Sequence, residues 1–395
     1  MVGIRETHRP FGESRRAHGS RQSQPELIRF RGVRRASTAL VAAATALMLA
    51  AGCGSDDSGG GSGRTTTSGR TPTIAFLAPN TNTRWIVADA PAFKRSVREI
   101  CAGCKVLTYN ADGAAAAQQR QFETAIAQGA KVIVVSAFDT GSLSALVARA
   151  NSQRIAVISY EEAIQNAPIS YEIGFNSLTV GKQLARSLVD RMKELGTSDK
   201  CVVAIQGDAT DHNGKLFWQG SEPIFKAAGA DICFNKHSQS WDPANAQRNM
   251  DAAITQIGAE NIGGVYVHND DMAGAAITAL KRAGVKKLPP FTGQDGTTAG
   301  VQRIIAGDQY MTVWRDSFTL ADRAAKIAYA FATGEKPKGD TTVNNGALDV
   351  PATILDPVVV TRDNVKETVV ASGFTKPSEL CAGRYASACA DLGIS

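Results

Sequence analysis

Residues 131–160 read KVIVVSAFDTGSLSALVARANSQRIAVISY, and the rhythm of this stretch decides the fold. Two apolar, β-branched runs, KVIVVSAF and IAVISY, bracket a segment, SLSALVARANSQ, whose apolar positions recur at helical spacing. A continuous apolar strand has no polar face to show to water, so it belongs in a parallel sheet covered on both sides by helices. The unit repeats. TIAFLA, KVLTYNA, ISYEIGF, CVVAIQG, ICFNKHS, GGVYVHN and PPFTGQD are further short runs, most followed by helical stretches such as AQQRQFETAIAQG, LTVGKQLARSLVDRMKELG and AGAAITALKRAGV. The predicted class is α/β, doubly wound, with one series before about Asn176 and another after it. QYMTVWRD, the helix SFTLADRAAKIAYAFATG and one last strand, PATILDPVVV, complete the pattern. At 395 residues the chain exceeds the ~250–300 that one core organises, which agrees with two lobes.

The formal charge of +6 points to a polyanionic partner until it is divided along the chain. Residues 1–52 hold nine arginines and three acids, which account for all of it; the remainder balances 34 basic against 34 acidic residues. That argues against nucleic acid as a partner. Within the leader, Arg34 and Arg35 precede the uncharged run ASTALVAAATALMLA, the layout of an export signal and too short for the ~20 residues of a membrane span. Its ending, Ala50-Ala51-Gly52-Cys53, resembles a bacterial lipobox, which implies a lipidated Cys53 as the mature N-terminus. Residues 53–71 read as a flexible Gly/Ser-rich tether, and the chain is expected outside the cytoplasm, anchored at the outer face of the cell membrane. Removing Cys53 leaves six cysteines, an even number that in an exported chain favours disulfides over metal. The expected pairs are Cys101 with Cys104, Cys201 with Cys233, and Cys381 with Cys389.

Ligands of open α/β sheets lie at the carboxyl ends of the strands. Those ends carry Asn80 to Trp85, Asp139, Glu161 and Glu162, Asn176, Asp211 to Asn213, Trp241, Asn269 to Asp271, Gln294, Asp295 and Arg315. Amides, carboxylates and guanidinium groups suit adjacent hydroxyls, and flat indoles suit the C–H faces of a sugar ring. Exposed loops are polar in any protein, so no single one of these positions decides the matter. No GxSxG, HExxH, P-loop or GxGxxG motif appears, and no helical histidine pair, so no catalytic residue, metal or cofactor is expected. Glu161 and Glu162 are a poor acid/base pair, because successive strand residues point to opposite faces.

Several stretches together resemble the periplasmic sugar-binding proteins of ABC importers, the D-xylose binders in particular. The most specific is TTVNNGALDVPATILDPVVVTRDNVKETVVASGFTKPSEL (341–380); TRW (83–85), DHNGKLF (211–217), HNDDMAGAAITAL (268–280) and GQDGTTAGVQRIIAGDQYMTVWR (293–315) support it. The resemblance spans about residues 72–380. It implies two α/β lobes joined by three crossover strands, near Phe175–Ser177, Thr312–Arg315 and Val350–Thr353. The amino-terminal lobe would be 72–176 with 314–349, and the carboxy-terminal lobe 177–313 with 350–395. It implies a monosaccharide in the cleft, a membrane permease as partner and a monomeric receptor. Arg84, Asp211, Asn213, Trp241, Asn269 and Asp295 match family positions lining the sugar site, and Trp85 and Trp241 are the stacking candidates. For Trp85 the competing reading is a packed core aromatic.

Three departures bear on specificity. Xylose binders resemble this chain at IAVISY but continue Tyr-Asp-Arg, where this chain has Tyr160, Glu161 and Glu162, so that a donor is replaced by an acceptor at Glu162. Arg315 stands where the family has lysine, and it is expected with Arg84 to pair with Glu162. Asn176-Ser177 replaces a family Asp-Asn at the first crossover. Another aldose, a sugar alcohol, a cyclitol or a sensor role therefore remain alternatives to D-xylose import. A sugar-responsive repressor of this fold would need a helix-turn-helix before residue 72, where the sequence reads as signal and tether.

Overall fold

The computed structural model describes residues 71–161 and 164–394. The leader, Cys53, the tether up to residue 70 and Glu162 lie outside the described residues. The strands are β1 (Thr73–Ala78), β2 (Lys105–Asn110), β3 (Ala130–Val135), β4 (Ala156–Tyr160), β5 (Tyr171–Phe175), β6 (Cys201–Gln206), β7 (Ile232–His237), β8 (Ile262–Val267), β9 (Met311–Trp314), β10 (Thr341–Asn344), β11 (Asp349–Leu355) and β12 (Val358–Thr361). The principal helices are α1 (Ala90–Ile100), α2 (Ala115–Ala127), α3 (Ser144–Ser152), α4 (Ser177–Glu194), α5 (His212–Ala227), α6 (Pro243–Ile257), α7 (Asp270–Arg282), α8 (Thr298–Ile305) and α9 (Ser317–Ala332).

The first lobe is built on a seven-stranded sheet in the order β10-β11-β5-β4-β3-β1-β2, parallel except for β10. Alternate residues of each strand serve opposite faces. Phe76, Val132, Val134 and Ile158 pack against Phe93 and Val97 of α1 and Leu320 and Ala324 of α9. Leu77, Ile133, Val135 and Val157 pack against Phe122 of α2 and Val147 of α3. The second lobe centres on β7-β6-β8, parallel, with β9 and β12 as an antiparallel pair. The run PPFTGQD, expected as a strand, makes only isolated parallel bridges, Val265 to Phe291 and Gln294 to Val313, which stitch β8 to β9. In this lobe α4 and α5 approach so closely that a Cβ at Gly181 would meet the Phe217 carbonyl oxygen.

The chain passes between the lobes three times, and each passage is short. β5 of the first sheet ends at Phe175, and α4, packed in the second lobe, begins at Ser177. Asn176 between them caps α4, its side-chain oxygen accepting from Thr179 N at 3.0 Å. β9 ends at Trp314, and α9, packed on the first sheet, begins at Ser317 under the cap of Asp316. The third passage departs from expectation. PATILDPVVV is two strands and not one: residues Asp349–Leu355 belong to the seven-stranded sheet and Val358–Thr361 pair with β9, so the passage falls at Asp356-Pro357 and not near Val350–Thr353. Pro357 has no N–H to offer a ladder, which ends one strand and frees the next to join the other sheet. Residues 350–355 therefore lie with the amino-terminal lobe.

The six cysteines fall into the three expected pairs, with Cα separations of 5.4 Å for Cys101 and Cys104 and 5.7 Å for both Cys201 with Cys233 and Cys381 with Cys389. All three lie within the range a disulfide spans.

Candidate functional site

The carboxyl ends of the strands of both sheets face one narrow cavity of about 40 Å³. From the first lobe it is lined by Pro79, Asn80, Asn82, Arg84 and Trp85 after β1, Ala137 and Phe138 after β3, and Glu161 after β4. From the second come Asp208, Asp211, Asn213 and Phe217 after β6, Trp241 after β7, Asn269 after β8, and Gln294 and Asp295. Arg315 follows β9 at a crossover. Arg84, Trp85, Glu161, Asp211, Asn213, Trp241, Asn269, Asp295 and Arg315 all line it, whereas the strand-end positions Asp139, Asn176, His212, Asp270 and Asp271 do not; Glu162 lies outside the described residues.

Two guanidinium groups and their carboxylates organise the centre. Arg84 Nε and Nη2 donate to Asp89 at 3.1 and 2.8 Å, and the Tyr160 hydroxyl donates to the same carboxylate at 2.6 Å. Arg84, Asp89 and Tyr160 are all buried, so this bracket sets where the remaining nitrogen points. That nitrogen, Nη1, lies 3.6 Å from Glu161 Oε1 and 3.5 Å from Asp295 Oδ1. Arg315 donates to Asp295 Oδ1 at 2.8 Å and forms an ion pair with Glu161. Among the described residues both arginines thus meet Glu161 and Asp295; Glu162, expected as their partner, lies outside the described residues. Strand β4 ends at Tyr160, and Glu161 takes a left-handed φ of +67° while its N–H still bonds Ile173 O at 2.7 Å. That conformation, uncommon for a side chain of this size, aims its carboxylate into the cavity. Arg84 Nη1, Glu161 Oε1, Arg315 Nε and Gln294 Oε1 are buried and make no hydrogen bond of ordinary geometry.

The amide of Asn213 is oriented from the first crossover. Ser177 Oγ donates to its Oδ1 at 2.7 Å, which leaves Nδ2 to donate to the Glu161 carbonyl at 2.8 Å. Asn269 caps α7, accepting from Met272 N at 2.9 Å. Trp241 follows Ser240 in a turn where both have left-handed φ, 58° and 57°. Its Nε1 donates to Asp211 Oδ2 at 2.9 Å, and Gly207 leaves room for the ring, since a Cβ there would run into the indole. Trp85 stands edge-on to Tyr160, with the Arg84 guanidinium 4.5 Å from its ring centre. It is at once a core aromatic and a cavity wall, so the two readings were not exclusive.

Burial dominates the electrostatics. It raises Asp295 to about 7, against the pull of Arg84 and with help from Asp270, Asp271 and Asp89. Arg84 is desolvated too, but Asp89 and Asp295 outweigh that and raise it further. Burial and the neighbouring Arg84 lower Arg315. His268 is buried beneath Trp241 and Phe217 and held down to about 3 by desolvation and by His237, so it is neutral; its Nδ1 accepts from Gly207 N. Sequence reasoning missed Asp89, Asp208, Phe138 and Phe217. Asp208 and Phe138 sit two or three residues past β6 and β3 and could have been read from that rule. Asp89 could not, because it reaches the site from a π-helical turn, Trp85–Asp89, whose pitch no apolar periodicity announces.

The periplasmic binding protein domain model matches residues 74–336. The chain is 36% identical over 282 residues to the D-xylose-binding periplasmic protein of Escherichia coli K12, covering 70% of this chain and 84% of that protein. It is 29% identical over 282 residues to the multiple sugar-binding periplasmic receptor of Rhizobium radiobacter, covering 67% and 80%. Among solved structures, it is similar to a carbohydrate transporter solute binding protein from Chloroflexus aurantiacus in complex with D-glucose, at 30% identity and a TM-score of 0.68. That match covers 78% of this chain and 97% of the other.

Proposed function

The chain belongs to the periplasmic binding protein domain family, and from that premise we propose that it binds a monosaccharide, D-xylose or a similar aldose, between its lobes and delivers it to an ABC permease. It is a binding protein and not an enzyme. The observation that carries this reading is the central cluster: Arg84 Nη1, buried and without a hydrogen bond, stands 3.6 Å from Glu161 Oε1, which Arg315 pairs from the other side. A hydroxyl is both donor and acceptor, so one placed there gives its proton to the carboxylate and accepts from the guanidinium. Arg315 with Asp295, Asp211 with Asn213, and Asn269 offer further such combinations, and Trp85 and Trp241 offer faces for the ring. Two cations against four carboxylates, Glu161, Asp208, Asp211 and Asp295, disfavour an anionic sugar.

A cavity of about 40 Å³ holds roughly three waters at ~10–15 Å³ each. A monosaccharide is larger, so it enters by taking Glu161 off Arg315 and replacing that contact with its own hydroxyls. Because each lobe supplies part of the set, the ligand favours the closed arrangement, and the three crossovers are the hinge. A few charge-assisted hydrogen bonds and a stacked ring supply that preference.

The same reading makes Cys53 the lipid attachment at the outer face of the membrane, with the following residues as tether, the three cysteine pairs oxidised after export, and the receptor a monomer. A hexose, a sugar alcohol, a cyclitol or a sensor role are the alternatives, and the acceptor at Glu162 in place of a family arginine is what keeps them open. Calorimetric titration of the purified chain with D-xylose, D-glucose, L-arabinose, xylitol and myo-inositol decides. Saturable heat from an aldose supports import of that sugar; heat from the polyols alone reassigns the ligand, and no heat from any of the five overturns the reading.

A further inference from the structure

At the mouth of the cleft, one hydrogen bond joins the lobes without touching the cavity. The backbone N–H of Thr83 in the first lobe donates to Asp271 Oδ2, in the first turn of α7 of the second, at 3.1 Å. Thr83 opens the helical segment that carries Arg84 and Trp85 into the cavity, and the leading N–H groups of a helix have no partner within it. A carboxylate at such an end is favourable for charge as well as for hydrogen bonding. Asp271 thus caps, from the opposite lobe, the segment that holds two of the site's residues. It does not line the cavity; it lines a separate groove with Thr81, Asn82 and Thr83.

Its own mounting is rigid. The preceding residue, Asp270, is fully buried and accepts from Thr297 N at 2.9 Å, Gln309 Nε2 at 2.7 Å and the Thr312 hydroxyl at 3.1 Å. Thr312 lies on β9, which runs into the second crossover, and Asn269 on the other side of Asp270 lines the cavity. The latch, the cavity wall and the hinge strand are therefore fastened at one point, the start of α7.

We propose that Asp271 is a closure latch: a positioning residue that holds the lobes together from outside the cavity and so sets how long any ligand is retained, without choosing which one. The ligand half of this inference rests on the sugar-binding reading, whereas the closure half does not. A residue acting only on the open–closed balance divides the affinity of every ligand by the same factor, because apparent affinity scales with the competent fraction.

Small-angle scattering of the unmodified chain, Asp271→Ala and Asp271→Asn in buffer alone tests the closure half. Asp271→Ala is expected to raise the radius of gyration, and Asp271→Asn, which keeps an acceptor oxygen, to leave it near that of the unmodified chain. Titration with D-xylose and D-glucose tests the rest. Asp271→Ala is expected to weaken both about tenfold, ~1.4 kcal/mol, through faster dissociation, with their affinity ratio held within about twofold. Unchanged scattering, a shifted ratio, or Asp271→Asn as impaired as Asp271→Ala overturns the latch. Binding of neither sugar by the unmodified chain tells against the sugar reading and leaves the scattering to decide the latch.

Discussion

Replacing Asp89 by alanine removes the one carboxylate that two nitrogens of Arg84 and the Tyr160 hydroxyl share. Asp89 is fully buried and Arg84 is 4% exposed, so no solvent moves in to take its place. What remains to the guanidinium is Nη1, with carboxylates at 3.5 and 3.6 Å, too long for good hydrogen bonds. Breaking a buried pair by removing one partner costs about 3–5 kcal/mol, because the survivor is left charged and unmet. At roughly 2–4 °C per kcal/mol for a domain of this order, the melting temperature is expected to fall by about 6–20 °C. Calorimetric melting measures it, with Asp89→Ala/Arg84→Met as the companion variant. Replacing both partners by apolar groups of similar shape is often nearly neutral, so the double variant is expected to regain most of the loss. A melting temperature for Asp89→Ala within about 2 °C of the unmodified chain, or a double variant no better than the single one, refutes the bracket as the support of Arg84.

The raised Asp295 gives a pH signature. Its folded value of about 7 lies above the ordinary 3.8, so the folded state binds the proton more tightly. The stability this contributes is complete below 3.8 and is lost as pH rises through 7, at up to about 1.4 kcal/mol per pH unit. Buried Asp270 and Glu172, raised to about 6 and about 7 by desolvation, act in the same direction, while His268 opposes them below its ordinary 6.5. The clean readout is therefore the melting difference between the unmodified chain and Asp295→Asn, expected to turn against the unmodified chain from pH 4 to 7; a flat difference contradicts it. Glu162→Arg restores a donor where xylose binders have one and is expected to shift preference toward D-xylose across a sugar panel, with unchanged relative affinities the contrary result. Gly181→Ala drives a Cβ into the Phe217 backbone and is expected to cost about 1–3 kcal/mol in denaturant titration, despite a better helix former; no loss would mean that α4 and α5 part freely.

The parallel strands were legible because full burial on both faces leaves apolar runs with little else to mean, as in KVIVVSAF and IAVISY. The cavity was legible one step later, since parallel strands of one lobe end on one side, and Arg84, Glu161, Asn213, Trp241 and Asp295 could be collected by position alone. Two things escaped. PATILDPVVV reads as one strand because periodicity reports the exposure of side chains and says nothing of which sheet receives the backbone; only Pro357 marks the change. That Glu161 meets both arginines also escaped, because alternation holds within a strand and fails at its end. Once Glu161 turns left-handed, the face it would have shown no longer applies.

Arg315 has a double address: its guanidinium lies in the cavity, and its backbone is the second passage between the lobes. Selection for a new sugar would ordinarily exchange a wall residue and leave the moving parts alone. Here an exchange at 315 alters what the cavity recognises and how the chain bends in a single step, so recognition and motion are inherited together. Drift in specificity should then be easier through Trp241, which lines the cavity from one lobe and is no part of a passage.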